Sequence, residues 1–163
     1  MIRGLTEADQ PAATQALDGA LGGRLQARMD ELVDVLAFPA LGAFVDDEFV
    51  GVATYSVDDP GTVELVALAV VAEHRRHGHG AALIGAVLRA AAEHGATHVW
   101  LVTTNDNLDA LGVYQRQGFR LVEVRRGAVD RARRLLKASI PEVGDHGIAL
   151  HDELVLERQT TGT

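Results

Sequence analysis

A chain of 163 residues, 47% apolar and 23% charged, has enough core-forming material for one domain and is not a disordered tail. The formal net charge of −8 argues against general binding to nucleic-acid phosphates, and the lack of Cys removes disulfides, thiolate metal ligands and cysteine nucleophiles together. The longest unbroken apolar run, Leu65 to Ala72, is eight residues against about 20 for a membrane span; the start, MIRGLTEADQ, has no stretch of signal-peptide length, so a cytoplasmic setting is expected.

Residues 2–5 read as a short opening strand. Thr6 then looks like an N-cap, with Asp9 three positions on and Pro11 in the first turn, for a helix to about Ala20. Gly22-Gly23 ends it. Leu25, Met29, Leu32, Val33 and Leu36 recur at helical spacing, which predicts a second helix closed by Pro39. Leu41–Val45 and Phe49–Ser56 flank the acidic turn Asp46-Asp47-Glu48 as a hairpin would, and Asp58-Asp59-Pro60-Gly61 is a second turn. Thr62–Val71 reads as a strand buried on both faces.

A helix over Gly80–Glu93 carries the stripe Leu83, Ile84, Val87, Leu88 and Ala91, with Gly95 where a C-terminal cap belongs. A strand over Ala96–Thr103, a short helix from about Leu108 to Gln117 stopped by Gly118, and a strand over Arg120–Arg126 follow. The basic segment 127–138 is read as helical, and Glu153–Glu157 as a closing strand. The pattern predicts one mixed α/β domain around a single sheet over residues 1–163, with a core at about 2–157 and a tail at 158–163.

The chemistry concentrates at one junction, Val70-Val71-Ala72-Glu73-His74-Arg75-Arg76-His77-Gly78-His79-Gly80-Ala81. A strand ends, a glycine-containing loop turns, and a helix begins with free N–H groups and a partial positive charge, an arrangement suited to phosphate. A P-loop needs Lys-Ser/Thr after its last Gly and finds Ala81-Ala82; a dinucleotide fingerprint needs a third Gly and finds Leu83.

Arg75-x-x-Gly78-x-Gly80 after a strand ending in Val70 resembles the acetyl-coenzyme A loop of the GNAT N-acetyltransferases. Asn107-x-x-Ala110-x-x-x-Tyr114-x-x-x-Gly118-Phe119 resembles that family's later motif, and the element order agrees over about residues 2–157. The resemblance implies a GNAT-like acyl-CoA N-acyltransferase fold, a mostly antiparallel central sheet flanked by helices, with acetyl-CoA as co-substrate and no metal. It implies that backbone groups of Leu68, Ala69 and Val70 pair with the pantetheine arm. The N–H groups of Arg76, His77, Gly78, His79, Gly80 and Ala81 would cradle the pyrophosphate, with Arg75 and Arg76 adding charge. Asn107 would bond the cofactor arm and Tyr114 would protonate the leaving thiolate. Asn107 and Tyr114 are seven residues apart, about two helical turns, so they share a face. A phenol, with a pKa near 10, is able to donate to a forming thiolate. The alternative for Tyr114 is a core aromatic beside Phe119.

The attacking amine must lose a proton. Glu64, a lone carboxylate opening an apolar strand eleven residues before Arg75, is the first candidate base, with His98 or His151 as substitutes. Residues 1–72 hold twelve acids and three bases, which points to a cationic acceptor, a small-molecule or peptide amine, unless these acids only solvate the surface. Residues 120–137 hold seven bases and two acids, without the interleaved aromatics of a single-stranded nucleic-acid platform, and read as a solvated face. The connection from Ile140-Pro141 to Asp152 is longer than a minimal hairpin and is expected to wall the acceptor pocket. Dimers are usual in the resembling family. Two other function classes stand beside the enzyme: a non-catalytic acetyl-CoA-binding module, and a metal-binding protein using His74, His77 and His79 beside Glu73.

Overall fold

In a computed structural model, which describes residues 1–160 apart from the side chain of Asp59, the chain forms two compact units. Residues 161–163 of the expected tail lie outside the described residues. The first unit takes residues 1–25, 34–99 and the end of the chain from 159; the second takes 26–33 and 100–158.

In the first unit β1 (Ile2–Gly4), β4 (Ala40–Val45), β5 (Glu48–Asp59) and β6 (Thr62–Val70) lie side by side in that order, every ladder antiparallel. Asp46 and Asp47 turn β4 into β5 with φ of +48° and +66°, and Pro60-Gly61 turns β5 into β6. Two helices pack on β5 and β6: α1 (Gln10–Leu21) and α2 (His79–Glu93). The core between them is Leu17, Val50, Val52, Val63, Leu83, Ile84 and Val87, each at most 1% exposed. Gly51 lets α2 come close, since a Cβ there would lie 3.0 Å from the Ala69 carbonyl oxygen and 3.2 Å from Leu83 Cδ1.

Thr6 opens a short 3-10 turn, Glu7–Asp9, and α1 follows from Gln10 with Asp9, not the expected Thr6, as its N-cap residue. Asp9 accepts from the N–H of Thr6 at 2.7 Å and from its hydroxyl at 2.9 Å, while Arg3 grips the same carboxylate at 2.7 and 3.2 Å. Hydrogen bonding from Arg3 is the main reason the Asp9 carboxyl lies well below the usual carboxylate range.

The second helix expected over residues 25–36 does not form. The chain instead makes a hairpin, β2 (Leu25–Arg28) and β3 (Glu31–Asp34), turned at Met29 and Asp30 with φ of +51° and +63°. Both central residues lie in the left-handed region, as a type I′ turn demands, yet neither is Gly or Asn. Contacts from distant sequence supply what the local residues lack. Both Glu153 carboxylate oxygens accept from the Met29 N–H at 3.3 Å, and Arg125 reaches Asp30 at 2.7 Å.

β7 (His98–Thr104) starts in the first unit and continues in the second, where the strand order is β7, β9 (Glu153–Gln159), β8 (Arg120–Arg125). β8 and β9 run antiparallel with a bulge between Leu121 and Glu123, and β9 extends two residues past the expected Glu157. α3 (Leu108–Arg116) ends at Gly118, φ +88°, and α4 (Ala128–Leu135) occupies the basic segment. Leu101, Phe119, Val129, Leu150 and Leu156 are buried here. Among the described residues no helix is long and apolar enough to cross a membrane.

Candidate active site

In the first unit, the β6-to-α2 junction has the geometry that its sequence implies. Val71 N–H closes on Val50 O at 2.9 Å, a short turn of 3-10 helix covers Ala72–His74, and the Arg75 guanidinium Nε donates to Val70 O at 3.0 Å. Arg76 and Gly78 then take left-handed φ of +66° and +84°. For Gly78 that backbone costs nothing; at Arg76 it is a local strain of the kind found at ligand sites. The bond from Ala82 N–H to Gly78 O, 3.0 Å, opens α2, so the N–H groups of His79, Gly80 and Ala81 precede the helix's own ladder. A Cβ built on Gly80 would lie 4.0 Å from both Leu68 Cδ2 and Val70 Cγ2. The helix start therefore sits over the end of β6, and the structure brings Leu68, Val70 and Gly80 together. Donors, a bare Gly80 and the exposed Arg75 and Arg76 suit a doubly charged pyrophosphate.

The loop histidines cluster by ring contact. His79 lies 6.0 Å from His74 and 6.4 Å from His77, centroid to centroid. Among the described residues no group of three or more His, Asp or Glu is arranged to hold a metal ion.

Glu64, also in the first unit, is 3% exposed and sits opposite Ser56 in the β5–β6 ladder. Ser56 is itself buried and donates to Asp58. Of the substitute bases, His98 Nδ1 contacts Thr97 Oγ1 at 2.8 Å. His151 belongs to the second unit, its Nδ1 2.9 and 3.0 Å from the Asp130 carboxylate oxygens. That bond, with the one from Arg133, holds the Asp130 carboxyl below its ordinary range.

In the second unit Asn107 is the N-cap residue of α3, and its Nδ2 donates to Thr103 Oγ1 at 3.0 Å. Tyr114, two turns along, is 8% exposed and meets Phe119 edge-on at 6.0 Å. Burial pushes its phenol up to about 12, so the hydroxyl keeps its proton through the neutral range.

Two networks were not legible beforehand. Arg125 bridges the buried Glu153, at 3.1 Å, to Asp30, and Arg131 lies 3.7 Å from Asp30. Arg133 donates to the carbonyls of Ile140, Pro141 and Leu150 and to Asp130. The basic segment thus holds the second unit together with three of its arginines, while Arg126 and Arg134 face solvent. Its only advance signal was Glu153, a carboxylate at the start of an apolar strand.

The acetyltransferase (GNAT) family model matches residues 10–119. YdhI, an uncharacterised protein of Bacillus subtilis, is 35% identical over 131 residues, which are 80% of this chain and 76% of that protein. A Bacillus subtilis acetyltransferase solved in complex with CoA superposes with a TM-score of 0.79 at 22% identity, covering 97% of each chain. A GNAT family acetyltransferase from Elizabethkingia anophelis, solved with acetyl-CoA bound, gives 0.78 at 22% identity and covers 98% of this chain and 97% of its own.

Proposed function

The chain belongs to the acetyltransferase (GNAT) family, an acyltransferase class, and from that membership we propose that it moves the acetyl group of acetyl-CoA to an amine by direct attack. The observation that carries the reading is the start of α2: N–H groups outside the helix ladder, a glycine with no side chain at position 80, and Arg75 and Arg76 beside it. In this reading the N–H groups from Arg76 to Ala81 bind the pyrophosphate, the backbone of Leu68–Val70 pairs with the pantetheine arm as an added strand would, and Asn107 bonds the arm. The absence of Cys fits a reducing cytoplasm, the compartment we assign to it.

The deprotonated amine nitrogen attacks the thioester carbon and a C–N bond forms. The tetrahedral intermediate collapses, the C–S bond breaks, the thiolate takes the phenolic proton of Tyr114, and the proton left in excess on the new amide nitrogen is lost to solvent, from which the tyrosinate is reprotonated. Glu64 accepts the proton that the acceptor ammonium gives up. Replacing it by Gln keeps shape and removes the base. Glu64→Gln is expected to slow turnover about 100-fold near pH 7, with the gap narrowing at high pH where the free amine is abundant. A uniform loss across a thiol-release pH profile would rule the base role out.

The acidic balance of residues 1–72 supports a cationic acceptor, although Asp9, Asp30 and Asp34 are each engaged by an arginine of their own unit. A thiol-release screen with acetyl-CoA against small amines and peptide N-termini is expected to rank polycationic acceptors first. A ranking led by neutral or anionic amines defeats the acceptor class; no thiol release with any amine, while acetyl-CoA still binds, supports the non-catalytic module instead.

A further inference from the structure

We propose that Asn105 and Asp106 are positioning residues that fix Asn107 for the donor, using the long connection between α4 and β9 as their anchor. The proposal rests on the reading of Asn107 as the residue that bonds the cofactor arm. Everything it invokes lies within the second unit.

β7 ends at Thr104, and α3 begins at Leu108, so Asn105, Asp106 and Asn107 form the whole turn between them. Each side chain of the turn faces a different job. Asn105 Oδ1 accepts from the N–H groups of His151 and Asp152, both at 3.0 Å, while its Nδ2 donates to Ala149 O at 2.8 Å and its own N–H to Asp152 O at 3.1 Å. The amide side chain thus pairs with residues 149–152 as a backbone strand would. Asp106 is 6% exposed; it accepts from the Asp145 N–H at 2.8 Å and from the Thr104 hydroxyl. Asn107 then donates its backbone N–H to Thr104 O at 3.1 Å and its Nδ2 to Thr103 at 3.0 Å.

The connection on the other side is itself braced. Arg133 ties the carbonyls of Ile140, Pro141 and Leu150 to α4, and Gly144 N–H donates to Ile148 O at 2.8 Å. Gly144 is required here for space and not for its backbone angle. Its φ of −98° is open to any residue, but a Cβ would overlap the Asp106 carboxylate. Side chains that anchor a donor residue to a braced segment reduce the ordering cost of binding. A buried carboxylate left without its donors is costly, so Asp106 has a strong reason to keep this arrangement.

Three substitutions separate positioning from mere stability. Asp106→Ala and Gly144→Ala should each weaken acetyl-CoA binding about tenfold by calorimetry, with kcat at saturating donor within about twofold. Asp106→Asn keeps an oxygen for the Asp145 N–H and should recover most of the affinity. The decisive measurement is a cycle with Asn107→Ala. That variant alone should weaken the donor, and Asp106→Ala added to it should cost nothing further, because both act through one side chain. Additive losses overturn the proposal, as does unchanged donor affinity in both Asp106→Ala and Gly144→Ala while Asn107→Ala loses it; either result leaves the role of Asn107 standing. Unchanged affinity in Asn107→Ala overturns the reading of Asn107 and the proposal with it.

Discussion

Tyr114→Phe is expected to leave acetyl-CoA binding within about twofold and to slow thiol release by about 10²- to 10⁴-fold. The substitution removes one oxygen and keeps the ring, so the edge contact with Phe119 at 6.0 Å survives and the fold has no cavity to absorb. What is lost is a proton held where water has little access. Burial raises the phenol to about 12, which by itself would make it a poorer acid. In the proposed reading a thiolate departing against this phenol would leave into the same dry surroundings, which disfavour its charged form as well. Single-turnover thiol release beside a donor-binding isotherm checks this: normal turnover in the variant removes Tyr114 from the mechanism, and its ring is then only core.

The raised phenol also sets a sign. Because its folded pKa lies above the unfolded value near 10, the folded state favours the neutral form. The stability this contributes is complete below pH 10 and is lost as pH climbs from about 10 towards 12. Through pH 6 to 9 Tyr114 therefore imposes no falling limb on the rate, and the profile there reports the amine and its base. Tyrosinate absorbance of the wild type minus that of Tyr114→Phe should titrate well above 10.

The parts of the fold that were legible are those where local and tertiary signals agree. The stripe Leu83, Ile84, Val87, Leu88, Ala91 with Gly95 behind it predicted α2 almost to the residue, because an amphipathic period and a left-handed cap are both local facts. The β4–β5 hairpin was legible from its acidic turn for the same reason. The β2–β3 hairpin was not. Its apolar residues, at 25, 29, 32, 33 and 36, satisfy a helical period by coincidence, and its turn has no glycine. What selects the hairpin lies outside the local sequence: Glu153 and Arg125, more than ninety residues away, hold Met29 and Asp30. No window of local sequence contains that information.

The candidate site divides along the same line. At Arg75-x-x-Gly78-x-Gly80 the strand-to-helix turn with free N–H groups was legible from its glycines, while its reading as a cofactor loop came from the family resemblance. Asn107 and Tyr114 were singled out by the resemblance to the family's later motif, and helical spacing added only that they share a face. Asn105 and Asp106 were passed over, although they adjoin Asn107, because their partners lie at residues 145–152 and are mostly backbone groups without a residue-type signature. The basic segment was misleading in the opposite way: charge density suggested a solvated face, and Arg125, Arg131 and Arg133 are engaged within the second unit.

Gly80→Val should reduce acetyl-CoA affinity at least 100-fold while the chain still folds. The helix start tolerates a side chain on its protein side, since a Cβ at position 80 makes only ordinary 4.0 Å contacts with Leu68 and Val70. The position has none of the left-handed φ that Gly78 has at +84°, so backbone strain is not the cause of any loss. In the proposed reading the valine methyls would crowd the start of α2, where a pyrophosphate would need to approach the backbone. Gly80→Ala sharpens the test by setting two effects against each other. Replacing a helical glycine with alanine is expected to stabilise the fold by up to about 1 kcal/mol. The same methyl should weaken the donor by a smaller factor than valine does. A variant that melts higher and binds acetyl-CoA more weakly has lost space for the ligand and nothing else. Equal affinity across glycine, alanine and valine in folded protein would mean that the diphosphate does not sit at this helix start, and the assignment of the whole loop would fall with it.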